Sequence, residues 1–321
     1  MEKRHPSHDH APGAENRGYV YREQIGSEAA GRAVIAHLLA RGGPATDAGW
    51  RARIADGSVR LDGGATTAEA TLCAGQWLTW ARPPWVEPDV PMHAPVLYRD
   101  DDLLAVSKPR GLPSVPAGGV FLEHTLLSVV RQGEPGAVPM HRLGRETSGV
   151  VLFALNAPAR AGVQAQFRER RVCKTYLALC AGHPVPDNFK IDAPIGEVAY
   201  PPTGAIHAAA PVGKPSLSRV RVLERRAGPP PASLVEVGIE TGRPHQIRIH
   251  LAYAGHPLVG DPLFGPGGVP LAGTRAVPGD PGYLLHALRL ELDHPRTGAR
   301  LAVEAPAPAE LNRSVDFREA P

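Results

Sequence analysis

Four prolines fall within the ten residues Arg82-Pro-Pro-Trp-Val-Glu-Pro-Asp-Val-Pro91. Proline fixes φ and lacks an amide hydrogen, so neither a helix interior nor a central strand runs through this stretch. It forms an extended, semi-rigid connector, which divides the chain into a short front part and a long rear part. With ~100 to 200 residues per domain, a chain of 321 residues accommodates one small and one large domain. The expected divisions are a flexible tail over 1–18, a small domain over 19–82, a linker over 83–95, a large domain over 96–304 and a fraying tail over 305–321.

Charge and cysteine content narrow the function classes. Lysine and arginine number 35 against 32 acids, a net charge of +3, which excludes a histone-like polycation. Any nucleic-acid contact must come from local clusters. Cys73, Cys173 and Cys180 are odd in number and lack the short spacing of a structural zinc site, so a reducing compartment is expected. Met1 to Gly18 has no apolar segment, and no later stretch approaches ~18 consecutive apolar residues. These features lead to the expectation of a soluble cytoplasmic protein without a membrane partner. His5, His8 and His10 lack a carboxylate or cysteine frame and read as solvated tail residues rather than metal ligands.

In the front part, Val34, Ile35, Leu38 and Leu39 follow helical spacing. Trp50 and Ile54 lie one turn apart in a second helix, and Val59 and Leu61 alternate in a strand ended by Gly63 and Gly64. This order of helix, helix and hairpin, with the phrase Arg51-Ala-Arg-Ile-Ala-Asp-Gly-Ser-Val-Arg-Leu-Asp-Gly63, resembles the alpha-L RNA-binding domain. Arg51, Arg53 and Arg60 can meet phosphates, while Asp47, Asp56 and Asp62 nearly cancel them, so a purely structural domain remains an alternative.

Three segments stand out in the rear part. Met140-His-Arg-Leu-Gly-Arg-Glu-Thr-Ser-Gly149 feeds the apolar run Val150 to Ala154, a polar turn before a buried strand. Phe167-Arg-Glu-Arg-Arg-Val-Cys-Lys-Thr-Tyr-Leu-Ala-Leu-Cys180 takes a basic helix end into alternation, with Lys174, Tyr176, Ala178 and Cys180 on one strand face. The third runs from Glu240-Thr-Gly-Arg-Pro-His-Gln-Ile-Arg-Ile-His250 to Gly265, where Pro244 suits a first helical turn and Gly255 a C-terminal cap. Asp261, between Gly260 and Pro262, reads as a turn-former whose carboxylate bonds backbone amides.

Together with Asp102-Leu-Leu-Ala-Val-Ser-Lys-Pro-Arg-Gly111, these segments resemble the signatures of the RluA-type pseudouridine synthases over roughly Val96 to Pro295. The resemblance implies an α+β large domain with a mixed, mainly antiparallel sheet flanked by helices. It implies an enzyme that isomerises uridine in ribosomal or transfer RNA, needing no cofactor or metal because no redox change or energy input is involved. RNA is the implied partner, and the protein is expected to act as a monomer.

A base inside a stacked helix cannot detach, turn and rejoin its ribose, so the nucleotide must be flipped at a cost of ~a few kcal/mol. By resemblance, Tyr176 is the active-site tyrosine, Arg142 helps displace the base, and Arg248 is the buried arginine that pairs with the catalytic carboxylate. His141, Lys108, Arg145, Arg168, Arg170, Arg171, Lys174 and Arg243 are assigned to the RNA path, with His245 and Gln246 shaping the helix and pocket wall. Without the resemblance, the basic cluster reads as an exposed helix end and Tyr176 as a core residue.

One position departs from the pattern. The family's aspartate after His-Arg-Leu is Gly144 here, and glycine can neither attack the anomeric carbon nor remove the adjacent ribose proton. Glu146 can substitute if Leu143 to Thr147 is extended, since it then projects to the same side ~6 to 7 Å further on. A substrate-held water or Asp261 is a second route. Loss of chemistry, leaving a silent RNA-binding protein, is the third. In every case a buried Arg248 needs a neutralising partner, because an uncompensated buried charge costs ~3 to 5 kcal/mol.

Overall fold

The computed structural model describes residues 15–41, 46–116 and 119–313, so His5, His8 and His10 lie outside the described residues. The chain divides into two compact units at Asp89 and Val90.

The front unit runs β1 (Tyr19–Gln24), α1 (Val34–Ala40), α2 (Asp47–Ala55), β2 (Val59–Leu61), β3 (Gly64–Ala65) and β4 (Trp77–Arg82). Its sheet has the order β1-β4-β2-β3. Val34, Ile35, Leu38, Trp50, Ile54 and Val59 are buried together as their spacing predicts, whereas Leu39 is exposed. The Thr46 side chain caps α2 by accepting from Gly49 N. Asp62 and Gly63 both take left-handed φ, of 50° and 81°, forming a tight turn suited to the twist of the flanking strands. The tail expected over 1–18 is overturned at its end. Glu15 bridges Val86, and buried Asn16 donates to Glu87 Oε1 at 2.7 Å.

The rear unit continues with β5 (Val96–Arg99), β6 (Leu103–Lys108), α3 (Leu126–Gly133), β7 (Val138–Pro139), β8 (Thr147–Ala154), α4 (Ala157–Arg168) and β9 (Cys173–Ala181). Then follow β10 (Asn188–Ile191), β11 (Ile195–Tyr200), β12 (Gly204–Ala209), β13 (Ser218–Arg226), β14 (Ala232–Ile239) and α5 (Gln246–Tyr253). It ends with β15 (Phe264–Gly265), β16 (Val269–Pro270), β17 (Leu285–Asp293) and β18 (Arg300–Glu304). The fold is α+β, built on a ten-stranded sheet ordered β10-β13-β14-β9-β17-β8-β6-β5, with β18 beside β17 and β7 beside β8. Among the described residues, only the β17–β8 pairing is parallel.

The apolar run Val150 to Ala154 is buried on both faces of this sheet. Val151 and Phe153 pack with Leu126 of α3 and Ile247 and Leu251 of α5, while Val150 and Leu152 pack with Ala159 and Val163 of α4. Such two-sided covering explains why the strand reads as continuous rather than alternating. Gly149 fixes the approach of β8 to β17. Its φ is +111°, and a Cβ there would lie 2.2 Å from Ala287 O. The tail expected from residue 305 is packed through its first turn: Ala305 N donates to Leu288 O at 2.9 Å, and Leu311 is buried against Leu177 and Leu234.

Candidate active site

The segment His141–Glu146 enters β8 through contacts that leave its backbone little freedom. Ser114 Oγ donates to Leu143 O at 2.9 Å and accepts from Leu143 N at 3.0 Å. Gly144 O accepts from Thr147 N at 3.1 Å, closing a turn over Arg145 and Glu146. The extended geometry considered for Leu143 to Thr147 is therefore absent, because the turn aims Glu146 elsewhere. Glu146 is buried and accepts from Arg110 Nε at 3.0 Å, with Arg145 Nε at 3.5 Å.

Lys108 is not an RNA contact. It is 0 % exposed, and its ammonium donates to Pro109 O, Leu112 O and Arg145 O at 2.8, 2.6 and 3.0 Å. Burial pushes its pKa down to about 7, against the pull of Glu146. The residue staples the start of the rear sheet to the loop at Arg145. That arginine is also spent internally, donating from Nε to Gly279 O at 2.9 Å.

A cavity of about 490 Å³ opens beside this loop. Tyr176 lines it from β9, His141 and Arg142 from the loop, Arg168 and Arg170 from the end of α4, and Lys174 and Arg243 from either side of the β9–β14 edge. The walls thus carry five cations against one carboxylate, Glu240. Arg243 Nε is buried with no hydrogen-bond partner among the described residues. Phe167 was absent from the sequence-derived set. It lines the cavity, meets the His141 ring at 5.8 Å and lies 5.7 Å from the Lys174 ammonium.

Protonation states follow from burial. Tyr176 is pushed up to about 12, so its hydroxyl keeps its proton. Burial lowers His141 to about 4, with Lys174 adding to the effect. Leu152 N donates to His141 Nε2 at 3.1 Å, which leaves the ring proton on Nδ1. Lys174 falls to about 8 through burial and donates to Thr241 O at 3.3 Å.

Several expected site residues stand outside the cavity. Arg171 is turned away and pairs with Glu169 and Asp293 on the surface. Gln246 is buried rather than facing RNA. Its Oε1 accepts from Thr241 Oγ1 and Arg243 N, and its Nε2 donates to Leu217 O, so it holds the cavity-lining loop from behind. Pro244 is not in the first helical turn, since α5 begins at Gln246 and His245 before it takes a left-handed φ of 57°. Burial and the charge of Arg248 lower His245 to about 4, with His207 and Arg142 adding to the effect.

Arg248 is 2 % exposed and finds its carboxylate in Asp261. Its Nε and Nη2 donate to the two Asp261 oxygens at 2.7 Å each, and Nη1 donates to Pro278 O at 2.9 Å. Asp261 also accepts from Leu263 N and Phe264 N, the turn-forming role expected of it. The Tyr283 ring covers the guanidinium at 4.1 Å. Its hydroxyl reaches Thr147 Oγ1 at 3.4 Å. Tyr283 lies 136 residues from Thr147 in the chain, and no local pattern joins the two. The strand order brings them together.

A cation-walled cavity with a protonated tyrosine, set on a mainly antiparallel sheet, defines a site for an anionic polymer carrying flat rings. The comparisons with known proteins are specific. RNA pseudouridylate synthase matches residues 102–253. RNA pseudouridine synthase slr1592 of Synechocystis sp. is 44% identical over 264 residues, covering 82% of this chain and 89% of that protein. RNA pseudouridine synthase 5 of Arabidopsis thaliana is 40% identical, covering 76% and 79%. Ribosomal large subunit pseudouridine synthase D of Vibrio parahaemolyticus is 31% identical, covering 80% and 81%. The solved human RNA pseudouridylate synthase domain containing 1 superposes with a TM-score of 0.55 at 30% identity, covering 70% of this chain and 89% of that one. The chain belongs to the RNA pseudouridine synthase family. Among the described residues, no helix is long and apolar enough to cross a membrane.

Proposed function

We propose that the protein isomerises a uridine of structured RNA, ribosomal or transfer, to pseudouridine. The observation that carries this is Tyr176, its hydroxyl protonated, on the wall of a cavity ringed by Arg142, Arg168, Arg170, Lys174 and Arg243. The cations grip phosphates, Arg142 fills the space left by the flipped nucleotide, and the uracil lies against Tyr176. The N1–C1′ bond breaks, the uracil turns, and a C5–C1′ bond forms. The hydrogen then leaves C5, and N1 carries a proton in the product, so substrate and product are isomers.

Gly144 stands where the family's carboxylate is expected, and we assign the base role to Glu146 on the condition that it leaves Arg110 and turns towards the cavity when RNA binds, since the turn directs it away at rest. Asp261 is committed to Arg248 and two backbone amides. Glu146 is held by Arg110, whose side chain is exposed, and by Arg145. The front unit is read as an alpha-L RNA-binding module. Arg51 is already paired with Asp47 and Glu69, and Arg53 stacks on Trp50 and Trp80 at 4.8 Å, so these two cations are engaged within the module itself.

The test is incubation of purified protein with RNA from cells lacking it, followed by chemical mapping of pseudouridine. A new site that disappears with Tyr176→Phe supports the isomerase. RNA binding without any new site identifies a silent binding protein.

A further inference from the structure

Gly144 has an ordinary backbone conformation and is exposed. The point where its Cβ would stand is 3.2 Å from Tyr283 Oη and 3.5 Å from Thr147 Oγ1. An oxygen atom placed at that point lies within hydrogen-bond range of Tyr283 Oη and at the limit for Thr147 Oγ1. Glycine therefore leaves a notch with two hydroxyls at its base. The phenol beneath it is 1 % exposed, and burial raises its pKa, so it holds its proton as a donor. Its only hydrogen-bond partner among the described residues is Thr147 Oγ1 at 3.4 Å, a long contact that leaves the phenol able to engage a better acceptor.

The notch lies within reach of a nucleotide seated in the cavity. Leu285 of β17 is opposite Thr147 on one side and Ala178 on the other, so the strands bearing Thr147 and Tyr176 are two strand spacings apart, roughly 10 Å. Arg142, which lines the cavity, lies two residues before the notch.

We propose that Tyr283 is a specificity-determining residue whose hydroxyl, reached through the gap at Gly144, hydrogen-bonds the ribose 2′-hydroxyl of the bound uridine. Resting on the isomerase reading for its substrate class, this assigns Gly144 and Tyr283 as a coupled pair. The glycine is small so that the sugar can reach the phenol. A neutral hydrogen bond of this kind corresponds to a preference of about 5-fold for ribose over deoxyribose.

The probes are a pentauridylate and the same oligomer with one central 2′-deoxyuridine, each titrated against full-length wild type, Tyr283→Phe and Gly144→Ala. Phenylalanine keeps a ring on Arg248 and removes only the hydroxyl; alanine fills the notch and leaves Tyr283 intact. The expected result is about 5-fold tighter binding of the all-ribose oligomer by wild type, with the preference falling to near 1 in both variants. A wild type without preference, or variants that retain it, would overturn the proposal. Pseudouridine is assayed in parallel. Sugar discrimination without product rejects the isomerase reading and leaves the Tyr283 assignment standing, whereas product without sugar discrimination does the reverse.

Discussion

Arg248 and Asp261 meet through two parallel hydrogen bonds of 2.7 Å, with side chains 2 % and 1 % exposed. This fork-to-fork geometry suits a guanidinium and a carboxylate, and two further backbone amides complete the acceptor. The charge of Arg248 is thus neutralised without any carboxylate at position 144. Arg248→Met should lower the unfolding free energy by about 3 to 5 kcal/mol, because Asp261 is left buried and unpaired. Arg248→Met with Asp261→Leu should cost clearly less than the two single changes added together. Urea denaturation of the four proteins measures the cycle.

Removing the Tyr176 hydroxyl tests chemistry apart from binding. Tyr176→Phe keeps an aromatic face in the cavity and takes away a group able to relay the proton from C5. A loss of ~100-fold or more in the single-turnover rate is expected, with RNA affinity within a few-fold of wild type. An equal loss in affinity and rate would instead make Tyr176 a binding residue.

Glu146→Gln preserves shape and removes the charge held by Arg110 and Arg145. If this carboxylate is the base, the rate falls by ~100-fold or more while RNA binding persists. A variant with wild-type rate would reassign the base to a water or another group.

His141 and His245 both titrate near pH 4 in the folded protein because burial disfavours their cations. Unfolded, each takes a proton near pH 6.5. Between these values the unfolded chain holds more protons, so stability falls as pH drops from about 6.5 towards 4, by up to ~1.4 kcal/mol per pH unit per group. Above pH 6.5 their contribution is complete. His245→Asn, whose side chain tolerates the left-handed backbone at that position, should make the pH dependence shallower in denaturation series between pH 4.5 and 7.

Gly149→Ala places a methyl 2.2 Å from Ala287 O at a φ of +111°. Backbone cannot yield as a flexible side chain does, so a loss of at least ~3 kcal/mol is expected. Thermal unfolding of the variant, with Gly136→Ala as an unhindered comparison, reads the difference.

The sheet and its two apolar faces are legible in the run from Val150 to Ala154, since a strand covered on both sides calls for consecutive apolar residues rather than alternation. His141, Arg142 and Tyr176 were legible as a group because their motifs carry them. Burial was not legible. Lys108 and Gln246 have the side chains of RNA contacts, but their polar atoms are used on neighbouring backbone. The sequence around Asp261 marks a turn-former, yet its second role opposite Arg248 depends on the fold between them. Tyr283 offers no periodic or motif signal; its place beneath Gly144 exists only once β17 lies beside β8.

That arrangement also orders events in time. β17, at residues 285–293, lies between β8 and β9, which were synthesised more than a hundred residues earlier. A nascent chain emerging from the ribosome therefore holds the basic loop and the tyrosine strand as separate pieces until β17 has been made. Translation products that stop short of β17 can display the charges without the assembled cleft, and competence to act on RNA waits for that strand.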